Sequence, residues 1–261
     1  PDLLASFGCQ LTVFRGQEKE FASMEDVKNE TRKTIDNIIS MTKSNKEIGV
    51  IIGPHGEYIT IVDEMGNILS NDDISAILCI SYLKFKNEKI INIPVTSSMI
   101  LDEIAYSYGG KVIRISSKIR SPENIDDIFL NNTAGRYPYL EKDYDPMITF
   151  LIILEFLALE NITLYELKKK LPKSDIVRIS IPCTVDEKAA IMRYLTINTD
   201  TSSKVEMIDG VRIIKDKAWV LILPDASQPL LHLYAESKDI KLRDQILEEY
   251  SLKIKKFKIS S

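Results

Sequence analysis

Two potential metal ligands, His55 and Glu57, flank a glycine in the break Gly53-Pro54-His55-Gly56-Glu57, and Asp63 follows shortly after. Imidazole and carboxylate ligands suit zinc, whose bound water is a hydrolytic nucleophile at neutral pH, so these residues sketch a metal-dependent hydrolase. The ligand set is incomplete, and a Gly- and Pro-shaped segment between β-branched runs is equally a tight strand turn. A second polar run, Asn131-Asn132-Thr133-Ala134-Gly135-Arg136, offers amides that donate and accept and could bind hydroxyls, although paired asparagines also favour turns on their own account. No exposed serine has a sequence neighbour that would act as a base on its hydroxyl, so serine nucleophilic chemistry is not expected. Cys9, Cys79 and Cys183 are odd in number and far apart, which is neither a disulfide framework nor a zinc site.

The elements that must position these residues belong to an ordinary folded chain. Its 261 residues are enough for two compact domains, and 44% hydrophobic with 28% charged residues excludes a disordered or low-complexity class. Lys+Arg 34 against Asp+Glu 38 leaves a net charge of −4, so no global field attracts nucleic acid or an anionic membrane, and neither is expected as a partner. The longest apolar run, Ile148 to Leu159, is interrupted by Glu155 and too short for a bilayer, and no leader pattern opens the chain; a cytoplasmic location is expected.

Two β-branched runs flank the Gly-Pro-His-Gly break and read as strands. Ser70-Asn71-Asp72-Asp73 then stacks cap candidates ahead of the apolar helix ISAILCISYL. A short strand from Lys89 to Pro94, a helix capped by Thr96-Ser97-Ser98, a Gly109-Gly110 stop and the strand KVIRIS follow, an alternation that predicts α/β with a largely parallel sheet. Ser121-Pro122-Glu123 and Asp145-Pro146 mark two further helix starts, and Thr163 with Glu166 a capping box. Beyond Lys173 the order becomes β-α-β-β-β-α, which predicts a smaller α+β domain with a four-stranded antiparallel sheet and two helices. The expected division is 1–45, the end of a preceding α/β domain; 46–173, a three-layer α/β/α domain; and 174–261, the α+β domain.

The order of elements and several phrases resemble the C-terminal half of the α-D-phosphohexomutases, the phosphomannomutase and phosphoglucomutase family. IGVIIGPHGEYITIVDEMGNILSNDD, VTSSMILDEIAYSYGGKVIR and DGVRI…WVLILPDASQPLLHLYAES follow that family's order, and the resemblance covers nearly the whole chain. It implies phosphoryl transfer between the two ends of a hexose, which requires a phosphoserine, a magnesium ion, a sugar-gripping loop and a cationic phosphate clamp.

Each station departs from the pattern. No segment resembles the phosphoserine loop, which lies in the family's first domain. The family's metal loop is Asp-Gly-Asp-Ala-Asp-Arg, whereas Gly53 to Tyr58 supplies one carboxylate and one imidazole, a poor set for octahedral magnesium. The sugar loop, Phe-Gly-Gly-Glu-Glu-Ser-Gly-His in the family, becomes Phe129-Leu130-Asn131-Asn132-Thr133-Ala134-Gly135-Arg136, which keeps the Phe and one Gly but neither carboxylate. The clamp, Arg-Pro-Ser-Gly-Thr-Glu-Pro and a later Arg, becomes Leu223-Pro224-Asp225-Ala226-Ser227-Gln228-Pro229, with His232 at the later Arg position. Losing the bidentate guanidinium and gaining a carboxylate disfavours a dianion there.

The expected function is therefore a mutase-like module without turnover, structural or regulatory, needing no cofactor and partnered by another protein or an upstream domain of the same polypeptide. The alternative is part of an active hexose-phosphate mutase, an isomerase working by intramolecular phosphotransfer, with Mg2+ bound, a hexose phosphate as substrate and its phosphoserine domain upstream of residue 1.

Overall fold

The structure, a computed structural model, describes residues 2–13, 24–53, 58–117, 140, 145–173, 175–199, 203–215 and 217–260. The helix expected at Ser121-Pro122-Glu123 lies outside the described residues. Helices α1 (Asp2–Ser6) and α2 (Met24–Asn45) open the chain. Strands β1 (Gly49–Ile52) and β2 (Ile59–Val62) pair antiparallel, because the few residues between them can reverse the chain but cannot cross over the sheet. Helix α2 packs on this hairpin at Gly49, where a Cβ would come within 2.5 Å of Ile38 and Thr42 side-chain carbons.

Helix α3 (Asn71–Lys84) begins in a reciprocal capping box: Ser70 Oγ accepts from Asp73 N at 3.1 Å and the Asp73 carboxylate accepts from Ser70 N at 2.9 Å. Its apolar residues face several neighbours at once, burying Ile74, Ile77, Leu78, Cys79 and Leu83. That burial pushes the Cys79 thiol up to about 12, so it behaves as a small hydrophobe.

Strand β3 (Ile90–Pro94), helix α4 (Ile100–Ser107) and strand β4 (Lys111–Ile115) make a β-α-β unit with β3 and β4 parallel. The expected parallel pairing thus holds for β3 and β4, whereas β1 and β2 form a separate antiparallel pair. Asp145 caps α5 (Pro146–Glu160) by accepting from Ile148 N at 2.9 Å, and the Thr163–Glu166 box opens α6 (Leu164–Lys170), both as the sequence predicts. Ile59, Ile61, Ile91 and Ile93 meet these helices in one core. Among the described residues no single helix is long and apolar enough to cross a membrane. The bent pair α5 and α6 has such a composition only when taken together, and Phe150, Ile153, Phe156, Leu164 and Leu167 spend it on the core.

The C-terminal part comprises β5 (Val177–Pro182), α7 (Val185–Ile197), β6 (Lys204–Glu206), β7 (Val211–Lys215), β8 (Ala218–Pro224), β9 (Leu230–Ser237) and α8 (Ile240–Ser260). The sheet has five antiparallel strands in the order β5-β9-β8-β7-β6, not the four expected. The run from Lys204 to Ile214 divides at Asp209, which adopts a positive φ of 57°, and at Gly210, where a Cβ would strike the Ile222 carbonyl.

Alternation gives this sheet two packing surfaces. Val220, Ile222, Leu231, Leu233 and Ala235 pack against Ile191, Leu195, Ile246 and Tyr250 of α7 and α8. On the other face Trp219 and Leu221 meet Val95 and Met99, which precede α4. Here Ser98 does not cap α4 as expected: the N-cap is Met99, without a side-chain cap bond, while the Ser98 hydroxyl donates to Glu236 and accepts from Ile100 N at 3.1 Å. Glu236, 3% exposed, also accepts from Met99 N and Trp219 Nε1, each at 2.8 Å. Asp209 adds a second tie, accepting from Ser116 Oγ and Ser117 N, each at 2.6 Å.

Replacing Glu236 by Ala strands three buried donors at once. We expect the urea midpoint to fall by the equivalent of roughly 2–4 kcal/mol with an unchanged slope. A loss within experimental error would show that the carboxylate does not hold this seam.

Candidate functional site

The segment between β8 and β9 is the best-defined polar constellation among the described residues. Asp225 directs one carboxylate oxygen back onto its own loop, where Oδ1 accepts from Ser227 N at 2.8 Å, Gln228 N at 2.8 Å and Ser227 Oγ at 3.1 Å. The other, Oδ2, lies 2.8 Å from His232 Nε2. An aspartate whose backbone turns on itself in this way makes an Asx turn, and the alternation along β9 brings His232 to the same face. From α7, Lys188 Nζ donates to the carbonyls of Asp225 and Gln228, each at 2.6 Å, pinning the loop from behind. Helix α7 is itself set by the expected Thr184–Glu187 capping box.

Two neighbouring amides aimed at one point form a small anion seat. Here the anion is internal. His232, then the Ser227 and Gln228 amides, hold the Asp225 carboxyl far below the usual carboxylate range. Leu223 presents no charge and packs with Trp219, Leu221 and Tyr234.

Of the other sequence candidates, His55, Glu57, Asn131, Asn132, Thr133 and Arg136 lie outside the described residues. Gly53 N donates to the Tyr58 carbonyl at 3.0 Å, closing the turn between β1 and β2. Asp63, the third member of the hydrolase set, is fully buried and committed elsewhere: it accepts from Met65 N at 2.9 Å, Asn67 N at 2.8 Å and the Asn67 side chain. Its neighbour Glu64 accepts from Leu164 N and Tyr165 N, each at 3.0 Å, and so caps α6. Among the described residues no three His, Cys, Asp or Glu side chains gather to hold a metal ion. The donor chemistry of Gly53 to Tyr58 does not fit magnesium either.

A phosphoglucosamine mutase of Methanocaldococcus jannaschii is 27% identical over 262 residues, covering 95% of this chain and 58% of that protein. A phosphomannomutase of the same organism is 30% identical over 225 residues, 82% of this chain and 49% of that protein. The chain is similar to phosphohexomutases along most of its length. It spans about half the length of these curated relatives. The fold of this phosphohexomutase relative recurs in a phosphoglucomutase/phosphomannomutase family protein from Burkholderia thailandensis, with a TM-score of 0.65 at 16% identity over 85% of this chain and 49% of that one. It recurs also in the exocytosis-sensitive phosphoprotein parafusin, a phosphoglucomutase, from Paramecium, with a TM-score of 0.58 at 15% identity over 84% and 48% of the two chains. No family model matches the sequence.

The structure corrects one expectation about this phosphohexomutase relative. A serine does have a base beside it: exposed Ser180 of β5 places Oγ 2.9 Å from His232 Nδ1. The two residues are 52 apart in sequence, so only the β5–β9 register brings them together.

Because the folded-state pKa of Asp225 lies below the unfolded value of about 3.9, the stability it contributes is complete above that pH and is lost as pH falls toward the folded value. Asp225→Ala is therefore expected to be less stable than the wild type near neutrality. The gap should narrow as the pH drops below about 4, read by urea titration at stepped pH; a constant gap would mean the donors do not favour the ionised form.

Proposed function

We propose that this chain is a catalytically degenerate phosphohexomutase module with a structural or regulatory task. The observation that carries this reading is the Asp225 carboxylate on the Ser227 and Gln228 amides, at the position that the resemblance assigns to the phosphate clamp. A phosphate arriving there meets a like charge and seat donors already taken, and Leu223 cannot supply the guanidinium that would outweigh them. The altered metal and sugar stations point the same way. The partner on this reading is another protein or a further domain of the same polypeptide, the location is cytoplasmic, and no cofactor is needed. We read residues 46–173 as a three-layer domain, 174–261 as the C-terminal domain and 1–45 as the end of a preceding one.

The names of the relatives favour a second reading. Proteins called phosphoglucosamine mutase and phosphomannomutase are about twice as long as the matched region, which leaves room in them for a phosphoserine domain. If this protein is active, it is a hexose-phosphate mutase, an isomerase, and its loops have diverged toward a different hexose phosphate.

Thermal stability of the chain against hexose 1-phosphates, hexose 6-phosphates, the bisphosphate and free hexoses, with and without magnesium, separates the two. At about a hundredfold excess over Kd a ligand adds ~2.7 kcal/mol, a readily measured shift. We expect no shift with any of them; a magnesium-dependent shift with one phosphosugar would overturn the degenerate reading in favour of the second.

A further inference from the structure

Ser180, His232 and Asp225 stand in hydrogen-bond sequence on one face of the C-terminal sheet. Ser180 lies directly across from His232 in the β5–β9 register, with Oγ 2.9 Å from Nδ1, and Nε2 is 2.8 Å from Asp225 Oδ2. The proton positions follow from the chemistry of the groups. An ionised carboxylate only accepts, so Nε2 carries the ring hydrogen; Nδ1 is left with its lone pair, and the Ser180 hydroxyl donates to it. A hydroxyl, a base that accepts its proton and a carboxylate that holds the base in one tautomer are the parts of an activated nucleophile.

The surroundings suit that task. The His232 side chain is 9% exposed and Asp225 is 21% exposed, so the ring is held while the carboxylate stays hydrated. Ser180 is exposed and can be reached. Arg178, two residues earlier on the same face of β5, lies over the Tyr234 ring at 5.3 Å. None of this depends on phosphoryl transfer.

We propose that Ser180 is a nucleophile with His232 as its base and Asp225 as the positioning residue, and that it takes acyl electrophiles of the carboxylic ester class. In the step, a bond forms between Ser180 Oγ and the ester carbonyl carbon as the hydroxyl proton passes to Nδ1. The bond from that carbon to the alkoxy oxygen breaks, and the alcohol leaves with the proton from Nδ1. Water, activated by the same nitrogen, then releases the carboxylic acid and restores the serine.

The test treats the full chain with a fluorophosphonate, which forms an Oγ–P bond and expels fluoride, and with p-nitrophenyl acetate, and maps the labelled peptide by mass spectrometry. Labelling is expected at Ser180 and is lost in Ser180→Ala. His232→Gln should slow it by about 100-fold or more. Asp225→Asn keeps an oxygen for the two loop amides but turns an NH2 group toward Nε2. That reverses the tautomer and should slow labelling of the folded protein by a factor on the order of 10⁴, whereas a merely structural role would leave the rate unchanged. Absence of label on folded wild-type Ser180, or a rate indifferent to His232→Gln, would overturn the proposal. Labelling without ester turnover would overturn the substrate class.

Discussion

A polar group buried in a packed sheet is costly to leave unpaired, because each buried donor or acceptor without a partner costs about 1–3 kcal/mol. The C-terminal sheet is packed in this way where α7 and α8 cover one face and where Val95 and Met99 meet Trp219 and Leu221 on the other. Trp219 illustrates the consequence. Its ring fills the apolar second face, but its indole N–H has to be answered there, and Glu236 answers it while also taking Ser98 and Met99 N. One buried carboxylate therefore holds both the packing of the sheet and its attachment to the preceding β-α-β unit.

The same constraint shapes the loop between β8 and β9. In the resemblance, this is where a cationic clamp would hold a phosphate. With Leu223 in place of the guanidinium, the loop amides still need an acceptor, and Asp225 supplies it from within the loop. Lys188 and His232 complete the arrangement with their own bonds to the loop. Two of its oxygens serve two different ends: Oδ1 satisfies backbone, and Oδ2 sets the hydrogen on His232. The carboxylate that satisfies the loop amides thereby also places an imidazole in a defined state beside a serine.

Much of the architecture was legible because its signals are local. Ser70 with Asp73, Thr163 with Glu166 and Thr184 with Glu187 are three residues apart, and the structure closes all three capping boxes. The strand pair around Gly53, the stop at Gly109 and the proline-led start of α5 are equally short-range. What was misread depended on distance. Ser98 looked like a helix cap, yet Glu236, 138 residues away, claims its hydroxyl. The fifth strand arises where Asp209, at a positive φ, and Gly210, held close against the Ile222 carbonyl, separate Lys204–Glu206 from Val211–Lys215. Asp63, a candidate ligand by type, is consumed by Met65 and Asn67 in its own turn.

The sequence by itself determined the α/β-then-antiparallel order, the helix boundaries set by caps, and the likeness to the phosphohexomutases, since these rest on residue types at fixed short spacings and on motifs in a shared order. It also identified Asp225 and His232 as departures at the clamp. Only the tertiary structure decided what those departures do. Cross-strand register is a property of paired strands, and a one-residue slip of β5 would turn Ser180 away from His232 and into the core. The direction of a carboxylate oxygen is likewise set by whichever donors the fold brings within 3 Å of it, and for Asp225 those are the loop's own amides and a histidine from the next strand.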